Sequence, residues 1–207
     1  MTAQPGLRER KKIETTRRLF STAVELFLEH GFDNVTVAQI AAASDVSKMT
    51  VFNYFPTKEH LVLRPMEDHV HDAAHIVRER AAGETPVAAL RRAFLAALDE
   101  HDASTGLNDA PDVLGVCRLL HETPALAQRA LALTQQSRDL LAAELPGPPV
   151  LAAVTAAQLI GAREALSAEN LRRLLAGESA DAVHPDAVAD AKRAFAFLET
   201  GLRDYGR

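Results

Sequence analysis

The chain has 207 residues, 47% apolar and 25% charged, with a formal net charge of −5. That balance excludes an intrinsically disordered protein, and plentiful Ala and Leu, with few β-branched or aromatic residues outside 32–55, favour helices over strands. No uninterrupted apolar stretch is long enough to cross a bilayer, the first residues lack the apolar segment of a secretory signal, and a lone cysteine, Cys117, excludes an internal disulfide framework and suits a reducing cytoplasm.

The charge is unevenly placed. Residues 1–18 hold six Lys/Arg against two Glu, and residues 61–207 hold 15 Lys/Arg against 21 Asp/Glu. A short basic segment on an acidic body is the asymmetry expected where only one end meets nucleic acid.

In chain order, the first predicted helix runs from Arg8 to His30. Ile13, Phe20 and Phe27 recur every seven residues, Leu19, Ala23 and Leu26 widen the apolar face, and Gly31 ends the helix. Two short helices follow. Thr36 and Gln39 form a capping box, with Val35 and Ile40 placed as its hydrophobic staple. Ser44-Asp45 makes a tight turn. Ser47 caps the second short helix, with Val46 and Val51 in the staple positions. A further start lies at Thr57, after Pro56.

Later helices are expected over 58–81, 86–101, 111–121, 124–145, 149–176 and 186–205, separated by breaks at 102–110, 146–149 and 177–185. Pro65 should kink or break the first of these near Leu61–Pro65, because its ring removes one N–H donor and crowds the preceding turn. The predicted fold is all-α.

Two short helices joined by a tight turn and braced by a longer one make a helix-turn-helix. Helical geometry sorts its second helix, Lys48–Tyr54, into faces. Val51 and Phe55 point inward with Val46. Lys48 pairs with Phe52, and Met49 with Asn53, on the outward side, while Thr50 and Tyr54 flank them. An outward row of polar and amphipathic side chains on a short capped helix is what reading a major groove requires.

Over residues 10–63 the sequence resembles the TetR family of bacterial regulators. The resemblance rests on Gly31-Phe32, Thr36, Ile40-Ala41, Val46-Ser47, Phe55, Lys58 and Leu61. It implies a three-helix DNA-binding domain over 1–57, followed by a helical ligand-binding and dimerisation domain over 58–207. By position, Lys48 and Met49 take the place of base-edge readers, and Asn53 that of a contact to base or phosphate. Thr36, Thr50, Tyr54 and Lys58 take that of phosphate clamps. Arg8, Arg10, Lys11 and Lys12 form a basic arm for the backbone or a minor groove. Met49 stands where the family often has a small residue or proline. Phe52 replaces a frequent tyrosine, keeping contact with a thymine methyl but losing any hydrogen bond to phosphate.

The resemblance also assigns the later helices. Dimer contacts fall on Ala153, Ala157, Ile160 and Gly161, and on Ala191, Phe195, Leu198 and Leu202, although these stripes suit the protein's own core equally well. Phe94, Leu98, Cys117, Arg118, Leu120, His121, Gln158 and Arg163 lie on helices that wall a ligand chamber in the family. Val113–Leu145 loosely resembles the subgroup with an acyl-CoA-like ligand domain.

No catalytic constellation, cofactor loop or metal site is expected. His69, His71 and His75 crowd one segment with Asp68 and Asp72, but no Glu follows His71 as a metalloprotease helix requires. The expected protein is a cytoplasmic, ligand-responsive repressor, bound as a homodimer to palindromic double-stranded operator DNA and released by a small hydrophobic or acyl-type molecule. The alternatives are a ligand-independent activator, or a helical enzyme or carrier keeping the helix-turn-helix as scaffold. A gel shift reversed by a metabolite separates the first from the last.

Overall fold

Helices form close to where the start signals predict them. The computed structural model describes residues 6–201, and among these no strand occurs. In chain order come α1 (Leu7–His30), α2 (Val37–Ala43), α3 (Lys48–Tyr54), α4 (His60–His69), α5 (Asp72–Arg78) and α6 (Pro86–Asp99). A 3-10 turn (Ala103–Thr105) precedes α7 (Pro111–Glu122), α8 (Pro124–Glu144), α9 (Pro149–Leu175) and α10 (Ala180–Gly201). The all-α class stands.

Packing divides the chain into two units. One comprises the residues up to Pro65 together with Leu114–Gln128, and the other Met66–Val113 together with the residues from Arg129 onward. The packing boundary therefore lies inside α4, and not at the 57/58 division drawn along the sequence.

The core of the first unit starts at Leu19. From there Ala23, Val24 and Phe27 of α1 are buried with Ile40, Val51, Phe55 and Leu61. The rings of Phe27 and Phe32 meet at 4.8 Å between centroids in a tilted pair. Fully burying such a side chain is worth about 1.5–3 kcal/mol, so this cluster can hold the two short helices α2 and α3 against the longer α1. Ile13, expected on the same stripe, is 56% exposed, because burial of α1 begins a turn and a half later.

In the second unit α6 packs against α10, and α10 against α9. Leu90, Phe94 and Leu98 are buried with Val183, Ala187, Ala191 and Phe195. The spacing of those α10 residues draws the helix start back to Ala180, six residues before the expected one. Pro185 is tolerated near its beginning. The opening N–H groups find side-chain acceptors: Asp109 Oδ2 for Ala180 at 2.9 Å and Ser179 Oγ for Ala182 at 3.3 Å.

Pro65 does not break α4. The helix runs through it, its ring is exposed, and the neighbouring Leu61, Val62 and Leu63 are buried and hold the helix in place. The break comes at Val70-His71, where the Val70 N–H reaches only the Glu67 carbonyl at 3.5 Å. Across it, His69 Nδ1 lies 2.7 Å from Asp72 Oδ2. A second correction concerns α9, which is long and apolar enough to cross a membrane by length and composition. Its Ala152, Thr155, Ala156, Leu159 and Ile160 are buried in the second unit.

Candidate nucleic-acid interface and ligand cleft

Local rules build the reading head. The Thr36 hydroxyl accepts from the Gln39 N–H at 3.3 Å, and the Thr36 N–H donates to Gln39 Oε1 at 2.8 Å, completing the capping box. α2 ends in a Schellman motif: Val46 N–H donates to the Ala41 carbonyl at 3.0 Å and Asp45 N–H to that of Ala42 at 3.2 Å. Asp45 occupies the left-handed position with φ 53°, where glycine is usual. Ser47 Oγ then accepts from the Thr50 N–H at 3.0 Å and starts α3.

These constraints present one face of α3 outward. Lys48, Met49, Phe52 and Asn53 are exposed, Met49 by 69%, while Val51 and Phe55 are buried. Lys48 Nζ lies over the Phe52 ring at 5.7 Å, so the cation stands on an aromatic floor and keeps its N–H donors outward. Tyr54 is half-buried beside them. The Thr50 and Ser47 hydroxyls are 2.8 Å apart. That pair spends one O–H proton between them, and the other is left for an acceptor outside.

The remaining expected clamps are placed differently. Thr36 Oγ1 donates to Gln39 Oε1 at 2.8 Å, so its proton is committed within the cap. Lys58 is turned into its own unit. Its Nζ donates to the Phe32 carbonyl at 2.8 Å and the Val35 carbonyl at 3.3 Å, and lies 4.3 Å from the Phe32 ring centroid. Two of three ammonium donors thus hold the loop between α1 and α2, and the residue ties the head together where a phosphate clamp was expected. Thr57, expected as a helix cap, bonds instead to His60 Nδ1 at 2.8 Å. Its hydroxyl also holds the Glu59 carboxyl below the usual carboxylate range.

The basic segment is helical. Arg10, Lys11 and Lys12 are exposed on the opening turns of α1, and Arg17 and Arg18 continue the series. Arg8 belongs to the same helix, and its side chain lies outside the described residues, as does Leu202. A helix about 10–12 Å across is too wide for a minor groove about 6 Å wide.

In the second unit a cleft of about 120 Å³ opens between α6, the 3-10 turn and α9, with the α4–α5 break at its edge. Ile76, Leu90 and Phe94 form its apolar wall, and Asp72, Asp102, Ser104 and Arg163 its polar side. Of the expected chamber residues, Phe94 and Arg163 line it. Leu98 is buried in the core and Gln158 is exposed. Cys117, Arg118, Leu120 and His121 belong to the first unit. There burial pushes the Cys117 thiol up, as for an inert core cysteine. Asp102 and Ser104 escaped the sequence reading because they sit in a predicted break, where no periodicity points a side chain anywhere.

The cleft floor is clamped. Asn170 Nδ2 donates to the Thr105 carbonyl at 2.9 Å and Ser167 Oγ to that of Ser104 at 3.1 Å. Gly106, at φ 70°, lies so close to α9 that an added Cβ would come 2.1 Å from the Ser167 carbonyl oxygen.

The expected dimer stripe divides. Ile160, Ala191 and Phe195 are buried in their own unit, with Phe195 at 0% exposure. Ala157, Gly161 and Leu198 are half-buried, and Ala153 is exposed. The exposed large apolar side chains of these helices are Val150, Leu151, Val154 and Leu175 on α9 and Phe197 on α10, the last 80% exposed.

Residues 14–64 match the family described as bacterial regulatory proteins, tetR family. The chain is 34% identical over 139 residues to the HTH-type transcriptional regulator TcmR of Streptomyces glaucescens, a stretch covering 67% of this chain and 62% of that one. It is 37% identical over 98 residues to the HTH-type transcriptional repressor LfrR of Mycolicibacterium smegmatis, covering 46% and 48%. These stretches span less than two thirds of either relative's own length. The fold is similar to that of NalD, the secondary repressor of the MexAB-OprM multidrug efflux pump in Pseudomonas aeruginosa. The TM-score is 0.58 at 20% identity, covering 87% of this chain and 96% of that one. It is also similar to that of SmeT in a complex with triclosan, with a TM-score of 0.56 at 17% identity, covering 94% and 92%.

Proposed function

Since this chain belongs to the tetR family of bacterial regulatory proteins, we propose that it is a cytoplasmic transcriptional repressor that binds a palindromic operator as a dimer and leaves it when a small molecule enters the second unit. The observation that carries this is the outward face of α3. Lys48, Met49, Phe52 and Asn53 stand exposed on a helix fixed at both ends, which a purely structural helix does not require. Lys48 and Asn53 supply donors and an acceptor for base edges. Met49 and Phe52 supply apolar contact for thymine methyls. The exposed cations along α1 supply the salt-dependent, sequence-independent part of the affinity.

The dimer reading now rests on Val150, Val154 and Phe197 in place of the buried Phe195. The relatives support the repressor sign, one being a repressor by name. For the effector, the volume of the cleft lies below the range of about 300–1,000 Å³ common for drug-sized ligands, which favours a small apolar body over an acyl-CoA.

The test is a mobility shift with palindromic fragments from the chain's own upstream region. Lys48→Ala and Asn53→Ala should each weaken specific binding by about 1–3 kcal/mol and leave non-specific binding nearly unchanged. Equal loss on specific and random DNA would remove these residues from base reading.

A further inference from the structure

The cleft of the second unit carries an unusual balance of donors and acceptors. Arg163 offers five N–H donors. Among the described residues it makes no hydrogen bond and no ion pair, and Asp72 and Asp102 act on it only through space. Both carboxylates already have one partner. Asp72 Oδ2 lies 2.7 Å from His69 Nδ1, and Asp102 Oδ1 accepts the Ser104 N–H at 2.8 Å. Asp102 therefore keeps an oxygen to spare while Arg163 keeps all its donors.

Charge decides what can join them. An anion in the cleft would face the Asp72 and Asp102 carboxylates and a cation would face the Arg163 guanidinium, so an uncharged ligand avoids both repulsions. Burial lowers the proton affinity of Arg163 and the two carboxylates offset this only in part, but a guanidinium keeps its charge in proteins and so presents donors alone to whatever enters. Ile76, Leu90 and Phe94 meanwhile ask for a flat apolar body.

We propose that this cleft takes an uncharged, oxygen-bearing ring compound, with a carbonyl oxygen accepting from Arg163 and an adjacent hydroxyl donating to Asp102. This names the class of effector and rests on the ligand-responsive reading above. The same side chains place recognition beside the His69–Asp72 pair at the α4–α5 break, where a hydroxyl competing for Asp72 loosens that pair.

The experiment titrates the full chain, without DNA, by calorimetry with three probes that share one ring: 2-hydroxy-1-phenylethanone, benzoate and benzylammonium. The hydroxyketone should bind at least tenfold more tightly than either ion. Arg163→Met should lose most of that binding. Should that variant fail to fold, Asp102→Asn decides, because it keeps an oxygen for the Ser104 N–H and should shift the preference at least threefold towards benzoate. Benzoate or benzylammonium binding as tightly as the ketone, or a folded chain that binds none of the three, would overturn the proposal. Operator affinity is then measured with the bound probe. Binding without release from DNA sinks the ligand-responsive reading and leaves the ligand class standing.

Discussion

In the first unit short helices are held at their ends, and in the second long helices are held along their sides. α2 and α3, with seven residues each, carry a capping box, a Schellman turn and a serine cap. Such helices are too short to be stable alone, so the caps and one inward face do the holding and the opposite face is free to carry chemistry. α9 and α10 are 27 and 22 residues long and bury stripes of Ala, Leu, Val and Phe. Their apolar residues also spill onto a second, exposed face. A helix fixed at its ends advertises its surface, and one fixed along its length hides which apolar face is inside.

Phe195 and Phe197 give the sharpest way to break that comparison. They are two residues apart on α10 and point to opposite sides, one fully buried and one 80% exposed. Phe195→Asp should cost about 5 kcal/mol or more, combining a lost core ring with an unpaired buried charge, and unfold the chain. Phe197→Asp should leave the helix content and melting temperature nearly intact and convert dimer to monomer in light scattering. A folded Phe195→Asp monomer would mean that α10 presents the other face.

Gly106 probes the side-held unit next. Alanine there meets both a left-handed φ and a Cβ placed against the Ser167 carbonyl oxygen, and a helix backbone cannot step aside cheaply. The expected loss is about 3–4 kcal/mol in urea unfolding, most of it steric, since the left-handed conformation alone costs about 1–2 kcal/mol. A loss under about 1 kcal/mol would show that the turn and α9 separate easily, and the cleft floor would then be mobile.

The same contrast explains what the sequence made legible. Thr36, Gln39 and Ser47 act through hydrogen bonds three residues long, so their roles can be read locally, and α2 and α3 fall where those signals put them. The inward Val51 and Phe55 and the outward Lys48, Met49 and Asn53 follow from the same short frame. The contacts of Lys58 could not be read locally, because its partners are 26 and 23 residues away, at carbonyls that no pattern around it announces. The exposed face of α10 was misjudged for a related reason. Phe195 and Phe197 both satisfy a hydrophobic stripe, and only the packing of α6 decides between them. The break in 58–81 shows a third limit. Proline lacks one bond, and three buried neighbours outweigh that loss.

Lys58 separates holding from reading within the first unit. Lys58→Met keeps the apolar stem over Phe32 but leaves the Phe32 and Val35 carbonyls without their charged donor. Hydrogen bonds to charged groups contribute about 1.5–3 kcal/mol, and a loss of about 2 kcal/mol in melting is expected. The slope of DNA affinity against salt should hardly change. A slope smaller by about one unit, with an unchanged melting temperature, would return Lys58 to the phosphate backbone.

The smallest effect is expected at Asp45, and it tests how much of the end-held unit is strained. The residue sits at φ 53° in the turn between α2 and α3, closing the Schellman motif with its own N–H. Releasing a non-glycine residue from the left-handed region is worth about 1–2 kcal/mol, though Asp is among the residues that tolerate it best, so the lower end applies. Glycine, however, gives the unfolded chain more freedom, which costs about 0.5–1 kcal/mol on folding. The two terms nearly cancel, and Asp45→Gly should move stability by no more than about 0.5 kcal/mol, towards stabilisation. The motif's bonds come from the backbone, so the substitution leaves the α2–α3 angle and specific operator affinity unchanged. The check pairs a thermal melt with an operator titration at one salt concentration. If affinity fell several-fold while the melt stayed put, Asp45 would be holding the reading helix by its side chain, and the turn would have to be counted among the contacts that aim α3.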